Sequence, residues 1–285
     1  MSYPLQSALK LISILGLLLP MVARGESFTT AEAAFSAGVK HLRNKDETAA
    51  REALEAALAL AQDDAFRLKV YQPLTQVYRQ LPEPDKMITA QEFIVRHSDR
   101  ATERSLTARS LASFLYQRGL LNKHVERYEA ALKADADDLV AVSMLAAAFG
   151  SIRRDEGRKD EFASRLKKLE QARSATQAAK FEAQATAEPQ RAAWHWKEAA
   201  VAWRDAGEKD KALAAAAHAE LPKTLPDGFG LVHFYHRHLG EVYADCGQPA
   251  KAIDHLEKAI AATPIKGYKE DCQKRLNQVK ALLQP

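Results

Sequence analysis

The residues best able to do chemistry are the histidines and the two cysteines. Four of the nine histidines stand out, His195 and the group His233, His236 and His238. His233 and His236 are three residues apart and would share a helical face. A stable zinc centre needs a fuller shell, usually four ligands. No carboxylate or cysteine completes an obvious one, so no metal and no other cofactor is expected. Cys246 is expected at the end of one helix and Cys272 well inside another. Stacked in parallel, they would be offset by about eight residues, or roughly 12 Å at 1.5 Å per residue. A disulfide needs its Cα atoms within roughly 7 Å, so two free, mostly buried thiols are expected. No phosphate loop, G-x-S-x-G turn, H-E-x-x-H pair or dinucleotide fingerprint occurs. Nothing in these residues points to an enzyme.

The elements that would carry these residues are helices. The chain has 285 residues, 47% hydrophobic and 27% charged, with only 7% aromatic, 12 Gly and 11 Pro. It is rich in Ala, the best helix former. A sandwich or barrel would need more β-branched and aromatic residues. Residues 1–25 differ from the rest: no acid, Lys10, an apolar run from Leu11 to Leu19, then Ala23-Arg24-Gly25. That is the pattern of a cleaved export signal, with cleavage expected before Glu26. The run is short for a membrane span, which takes roughly 20 apolar residues. A soluble exported protein, periplasmic or extracellular, is therefore expected. Removing Lys10 and Arg24 lowers the formal charge from +4 to +2, too little to suggest a nucleic-acid partner.

The segment from His233 is the most regular. Leu239, Gly240 and Tyr243 share one helix. Gly247-Gln248-Pro249 makes a turn, and Ala252, Leu256 and Ala259 line a second helix that Pro264 ends. This resembles the tetratricopeptide repeat, a helix–turn–helix unit of about 34 residues. His236 stands where that family usually has a Trp, which makes it a core residue. Trp196, Ala199, Ala200, Trp203, Gly207, Ala212 and Ala216 fit a second unit. Leu111, Ala112, Leu115, Gly119, Tyr128 and Ala131 fit a third, and Ala34, Gly38, Ala50, Leu54 and Ala57 a fourth. Two looser stretches complete six helical pairs, at 31–64, 68–101, 105–138, 139–172, 193–226 and 233–266. In the second pair Pro73 should kink the first helix or mark its start. In the fourth, a long charged turn is expected from Ile152 to Glu161. Residues 173–188 match no unit. An amphipathic helix at 268–283 would cap the stack. The expected fold is an all-α solenoid of antiparallel helix pairs over residues 26–285.

The resemblance implies a non-catalytic scaffold that holds a protein or peptide on its concave face, lined by the first helices of successive repeats. The alternative is an assembly component associating through its ends or convex face. By this analogy the groove holds Arg109 and Tyr116, then Trp194, Lys197 and Arg204, then Phe234 and Arg237. Lys197, Arg204 and Arg237 would form a basic wall for an acidic segment. Trp196 and Trp203 are expected in the core and Trp194 off that face. Family members that bind chaperone tails use Lys and Asn at set places. The corresponding places here hold residues such as Val39, Gln76, Ser113 and Val201, so that ligand is not expected.

Overall fold

The computed structural model describes residues 27–82, 84–219 and 232–283. The export signal expected at 1–25 and the end of the pair at 193–226 lie outside the described residues. Among those described there are thirteen α-helices and no strand, so the fold is all-α. Contacts divide the chain into two compact units, the first ending at Glu156 and the second beginning at Gly157.

The first unit opens with three antiparallel pairs. They are α1 (Ala31–Arg43) with α2 (Glu47–Leu60), α3 (Asp64–Tyr78) with α4 (Pro84–His97), and α5 (Ala101–Gln117) with α6 (Leu121–Ala134). Side-chain oxygens start many of its helices. Thr30 Oγ1 accepts from Ala33 N at 3.1 Å, Asp46 Oδ1 from Ala49 N at 3.1 Å and Asp63 Oδ1 from Phe66 N at 2.7 Å. Each satisfies one of the amide donors that a helix start leaves open. Gly38 explains the close approach of α1 and α2. A Cβ there would lie 2.5 Å from Leu54 Cγ, so Leu54 can seat only against a residue with no side chain. Pro73 neither starts nor ends α3, which begins well before it at Asp64. The start is set instead by Asp63, whose cap bond fixes the first turn.

The first helices of successive pairs lie side by side. Phe35 of α1 meets Phe66 of α3 edge-on at 6.0 Å. Gln72 of α3 donates to Glu103 of α5 at 2.6 Å, and Arg79 donates to Ser110 at 3.0 Å. The fourth first-helix is α7 (Leu139–Ala147), capped by Asp138 and almost wholly buried. It widens into a π-helical stretch, Ala148–Arg153, that ends at Arg154 with φ 53°. The long charged turn expected from Ile152 to Glu161 is absent. Helix resumes at Glu156, because the charges there belong to a solvated helix face.

That helix, α8 (Glu156–Ala187), has 32 residues and belongs to the second unit save for its first residue. It runs through the unmatched stretch 173–188, whose alanines include the fully buried Ala178. A 3₁₀ turn at Pro189–Arg191 leads into α9 (Ala192–Ala206) and α10 (Lys209–His218). Then come α11 (Val232–Asp245), α12 (Pro249–Ala262) and α13 (Lys266–Ala281). Glycines in the left-handed region follow both first helices of these pairs, Gly207 at φ 83° and Gly247 at φ 81°. Only Gly takes that conformation without steric cost. The α11–α12 pair repeats the interlock of α1–α2: a Cβ on Gly240 would lie 2.9 Å from Leu256 Cγ. On α13, Cys272, Leu276 and Val279 are buried, while its charged residues face water.

Candidate functional site

Five of the seven groove residues lie in the second unit, on α9 and α11. These helices are tied together by Tyr235, whose hydroxyl donates to Ala193 O at 3.1 Å and also reaches Ala219 O. Lys197 is only 1% exposed. Its ammonium stands 3.8 Å over the Trp194 ring and bonds the Glu198 carboxylate. Burial pushes its pKa down, against the pull of Glu198. Arg204 binds Asp205 with Nε at 2.9 Å and Nη2 at 2.7 Å, and Nη1 lies 3.9 Å from Glu241 and 3.7 Å from Asp245. Arg237 donates to Glu241 at 2.9 Å and covers the Tyr268 ring at 5.0 Å. Phe234 packs edge-on against the same tyrosine at 4.7 Å.

The three cations expected to form a basic wall therefore meet Glu198, Asp205, Glu241 and Asp245. Their charge is balanced within the unit. Trp194 is also not apart from the core: with Trp196 it is half-buried against the apolar cluster that holds Trp203. Trp203 itself is buried, with its indole donating to Glu182 of α8 at 2.7 Å.

The other two groove residues, Arg109 and Tyr116, sit on α5 of the first unit and have a different environment. Both are exposed, and Tyr116 is 62% so. Neither makes a side-chain bond or ion pair among the described residues. They align with Leu106, 59% exposed, and with Ser113, giving positions 106, 109, 113 and 116 on one stripe. Spacings of three and four keep such residues on one helix face. Beside the stripe, Arg79, just past the end of α3, reaches the Ser110 hydroxyl. The helix pattern could have shown that Leu106 belongs with Arg109 and Tyr116. The repeat template has no place for a large exposed apolar residue there.

The histidines do not converge on one point. His195 Nε2 lies 3.2 Å from Glu188, and its Nδ1 is buried without a partner, as are His233 Nε2 and His238 Nδ1. Burial, then the Lys197 charge, pushes the His238 pKa down. His236 meets a residue from outside the sequence cluster: its Nδ1 lies 3.1 Å from Nδ1 of His255 on α12. Among the described residues, no three His, Cys, Asp or Glu gather as a metal shell. Both cysteines are free, Cys272 buried and Cys246 half-buried, and burial raises the pKa of each.

No helix among the described residues is long and apolar enough to cross a membrane. No family model matches the chain, and no curated protein matches it. Solved structures similar to it include two repeat proteins. One is a thermophilic TPR protein of Thermus thermophilus, at 17% identity and TM-score 0.30 over 88% of this chain and 100% of that one. The other is a tetratricopeptide repeat protein of Parabacteroides merdae, at 13% identity and TM-score 0.29 over 88% of this chain and 98% of that one. The described residues themselves form an all-α array of antiparallel helix pairs, with glycine-bearing tight turns and small residues at the helix contacts.

Proposed function

We propose that the chain is a non-catalytic scaffold that holds a partner protein or peptide, and that the α5 stripe of the first unit is the contact surface. The observation that carries this reading is that Arg109 and Tyr116 are exposed and unpaired beside exposed Leu106. A cation with flat apolar surface on either side suits an acidic segment that carries an aromatic or aliphatic side chain. The α9–α11 residues support the neighbouring helices; their charges are already matched by Glu198, Asp205, Glu241 and Asp245. Residues 1–25 fit a role in export, and the intact mass of the secreted product would show whether they are removed.

The test is selection of binders from a display library of acidic peptides with aromatic positions. The double variant Arg109→Glu/Tyr116→Ala should lose the selected peptides at low salt with unchanged melting. Arg204→Ala should keep them. Peptides that survive the α5 double variant and are lost with Arg204→Ala would move the surface back to α9 and α11. A second reading, self-association, is favoured by Leu282 at 74% and Leu283 at 55% exposure, just past α13. Concentration-dependent mass by light scattering, lowered by Leu282→Ser/Leu283→Ser, would support it.

A further inference from the structure

The contact between His236 and His255 is the most unusual pairing of chemically capable groups in the molecule. Two imidazoles on different helices face each other through the same ring atom, Nδ1 to Nδ1, at 3.1 Å. The rings themselves are 5.2 Å apart between centroids and tilted by 51°. We propose that His236 and His255 form a two-imidazole site for a late first-row divalent cation, one that bridges α11 to α12.

The geometry supports this from the metal's side. Imidazole nitrogen binds zinc at roughly 2.0–2.1 Å. Two such bonds to atoms 3.1 Å apart subtend about 98° at the metal. That lies between the square-planar and tetrahedral angles, so the cation could enter with little movement of either helix. Imidazole suits zinc, copper and nickel, whereas magnesium and calcium prefer oxygen. Water would fill the remaining positions.

The proton count also closes. In the metal-free pair one Nδ1 must carry the proton and donate to the other. On binding, that proton passes through water to Nε2 of its own ring. Both rings stay neutral, both Nδ1 lone pairs face the cation, and no proton is released.

The backbone fixes the placement. His236 and His255 lie on the pair locked by Gly240 against Leu256, so the two nitrogens are held by elements that cannot slide independently. The rings are half-buried, and the Tyr243 ring lies tilted by 33° against His255, with centroids 5.4 Å apart. Asp254 adds one negative charge, tied to Lys258 at 2.8 Å. Lys258 and Lys251 oppose the cation, which argues for modest affinity. The sequence cluster His233, His236 and His238 contributes only one of the two ligands.

Copper(II) chloride is the probe, added to untagged full-length chain stripped with EDTA. Electron paramagnetic resonance should show one copper per chain with splitting from two imidazole nitrogens. Zinc chloride in large excess should displace it, since copper(II) outranks zinc at nitrogen ligands, and zinc alone should raise the melting midpoint. His236→Gln and His255→Gln should each weaken copper binding at least tenfold and abolish the two-nitrogen spectrum, and His238→Gln should leave both unchanged. A two-nitrogen spectrum that persists in His255→Gln, or a wild-type chain whose copper shows any other nitrogen count, would overturn the site. If either variant loses helical content, the wild-type spectrum and zinc displacement decide alone.

Discussion

The two units of the chain secure their helices largely at opposite ends. In the first, Thr30, Asp46, Asp63 and Asp138 each accept a backbone amide at a helix start, although α5 and α6 begin without such a bond. In the second, the starts of α9, α10, α12 and α13 have no side-chain cap. That unit instead ends α9 with Gly207 in the left-handed region, places Gly247 likewise after α11, and opens α12 with Pro249. Gly119, after α5, is their counterpart in the first unit. The buried polar groups differ as well. The second unit holds His236, His238 and His255 with lowered pKa, the first only His124 among the described residues. One unit thus starts its helices on a hydroxyl and three carboxylates, the other holds imidazoles that burial keeps neutral. The same repeat pattern can be made firm by different chemistry, and the difference sets how each unit fails.

Acid should expose that difference most strongly. A histidine whose folded pKa lies below its unfolded value, about 6.5, binds fewer protons folded than unfolded. Its contribution is complete above pH ~6.5 and is lost as pH falls through the folded value, about 4 for His255. His238 is pushed down chiefly by burial, with Lys197 and Arg237 adding to it and Glu241 and Glu198 opposing. All three tryptophans, Trp194, Trp196 and Trp203, lie in the second unit, so their emission reports that unit alone. In EDTA, emission should shift to the red between pH ~6.5 and about 4 while much of the helical circular dichroism remains. Coincident transitions would show that the units do not differ in this way.

The next effect concerns the two glycine–leucine interlocks. Gly38→Ala would bring a methyl to 2.5 Å from Leu54 Cγ, and Gly240→Ala to 2.9 Å from Leu256 Cγ. Overpacking costs about 1–3 kcal/mol, and the gain in helix propensity returns roughly 1 kcal/mol. Gly38→Ala should therefore lower the melting midpoint clearly, and Gly240→Ala by less. Equal losses would mean that the two interlocks yield equally. The smallest effect sharpens the contrast at the helix starts. Asp63→Ala should cost about 1 kcal/mol in chemical denaturation, whereas Gln248→Ala, at the uncapped start of α12, should change stability within about 0.5 kcal/mol.

Much of this architecture can be read from residue types and spacing. Gly38, Gly207, Gly240 and Gly247 with the alanines around them locate the pairs, since few other residues tolerate a tight turn or a close helix contact. The π-helical stretch at Ala148–Arg153 left no such mark, because α7 is apolar nearly all round and its widening depends on what packs against it. The site was less legible. Arg204 and Glu241 are far apart in sequence, so their pairing needed α9 beside α11. Lys197 and Glu198 are adjacent and on a regular helix do not face each other, which hid the burial of that ammonium. Arg237 and Glu241, four apart, were the legible pair. The pairing of His255 was not legible, because its partner lies on the facing helix.

The seating of Leu54 on Gly38 and of Leu256 on Gly240 also bears on how this chain can diverge. Neither position of a pair is free alone, since a side chain at the glycine needs room that only a smaller residue opposite would leave. Among descendants, exchanges at 38 should therefore accompany exchanges at 54, and those at 240 should accompany those at 256. Each pair would drift as a single inherited character, while the α5 stripe, unconstrained from within the fold, would follow whatever it touches.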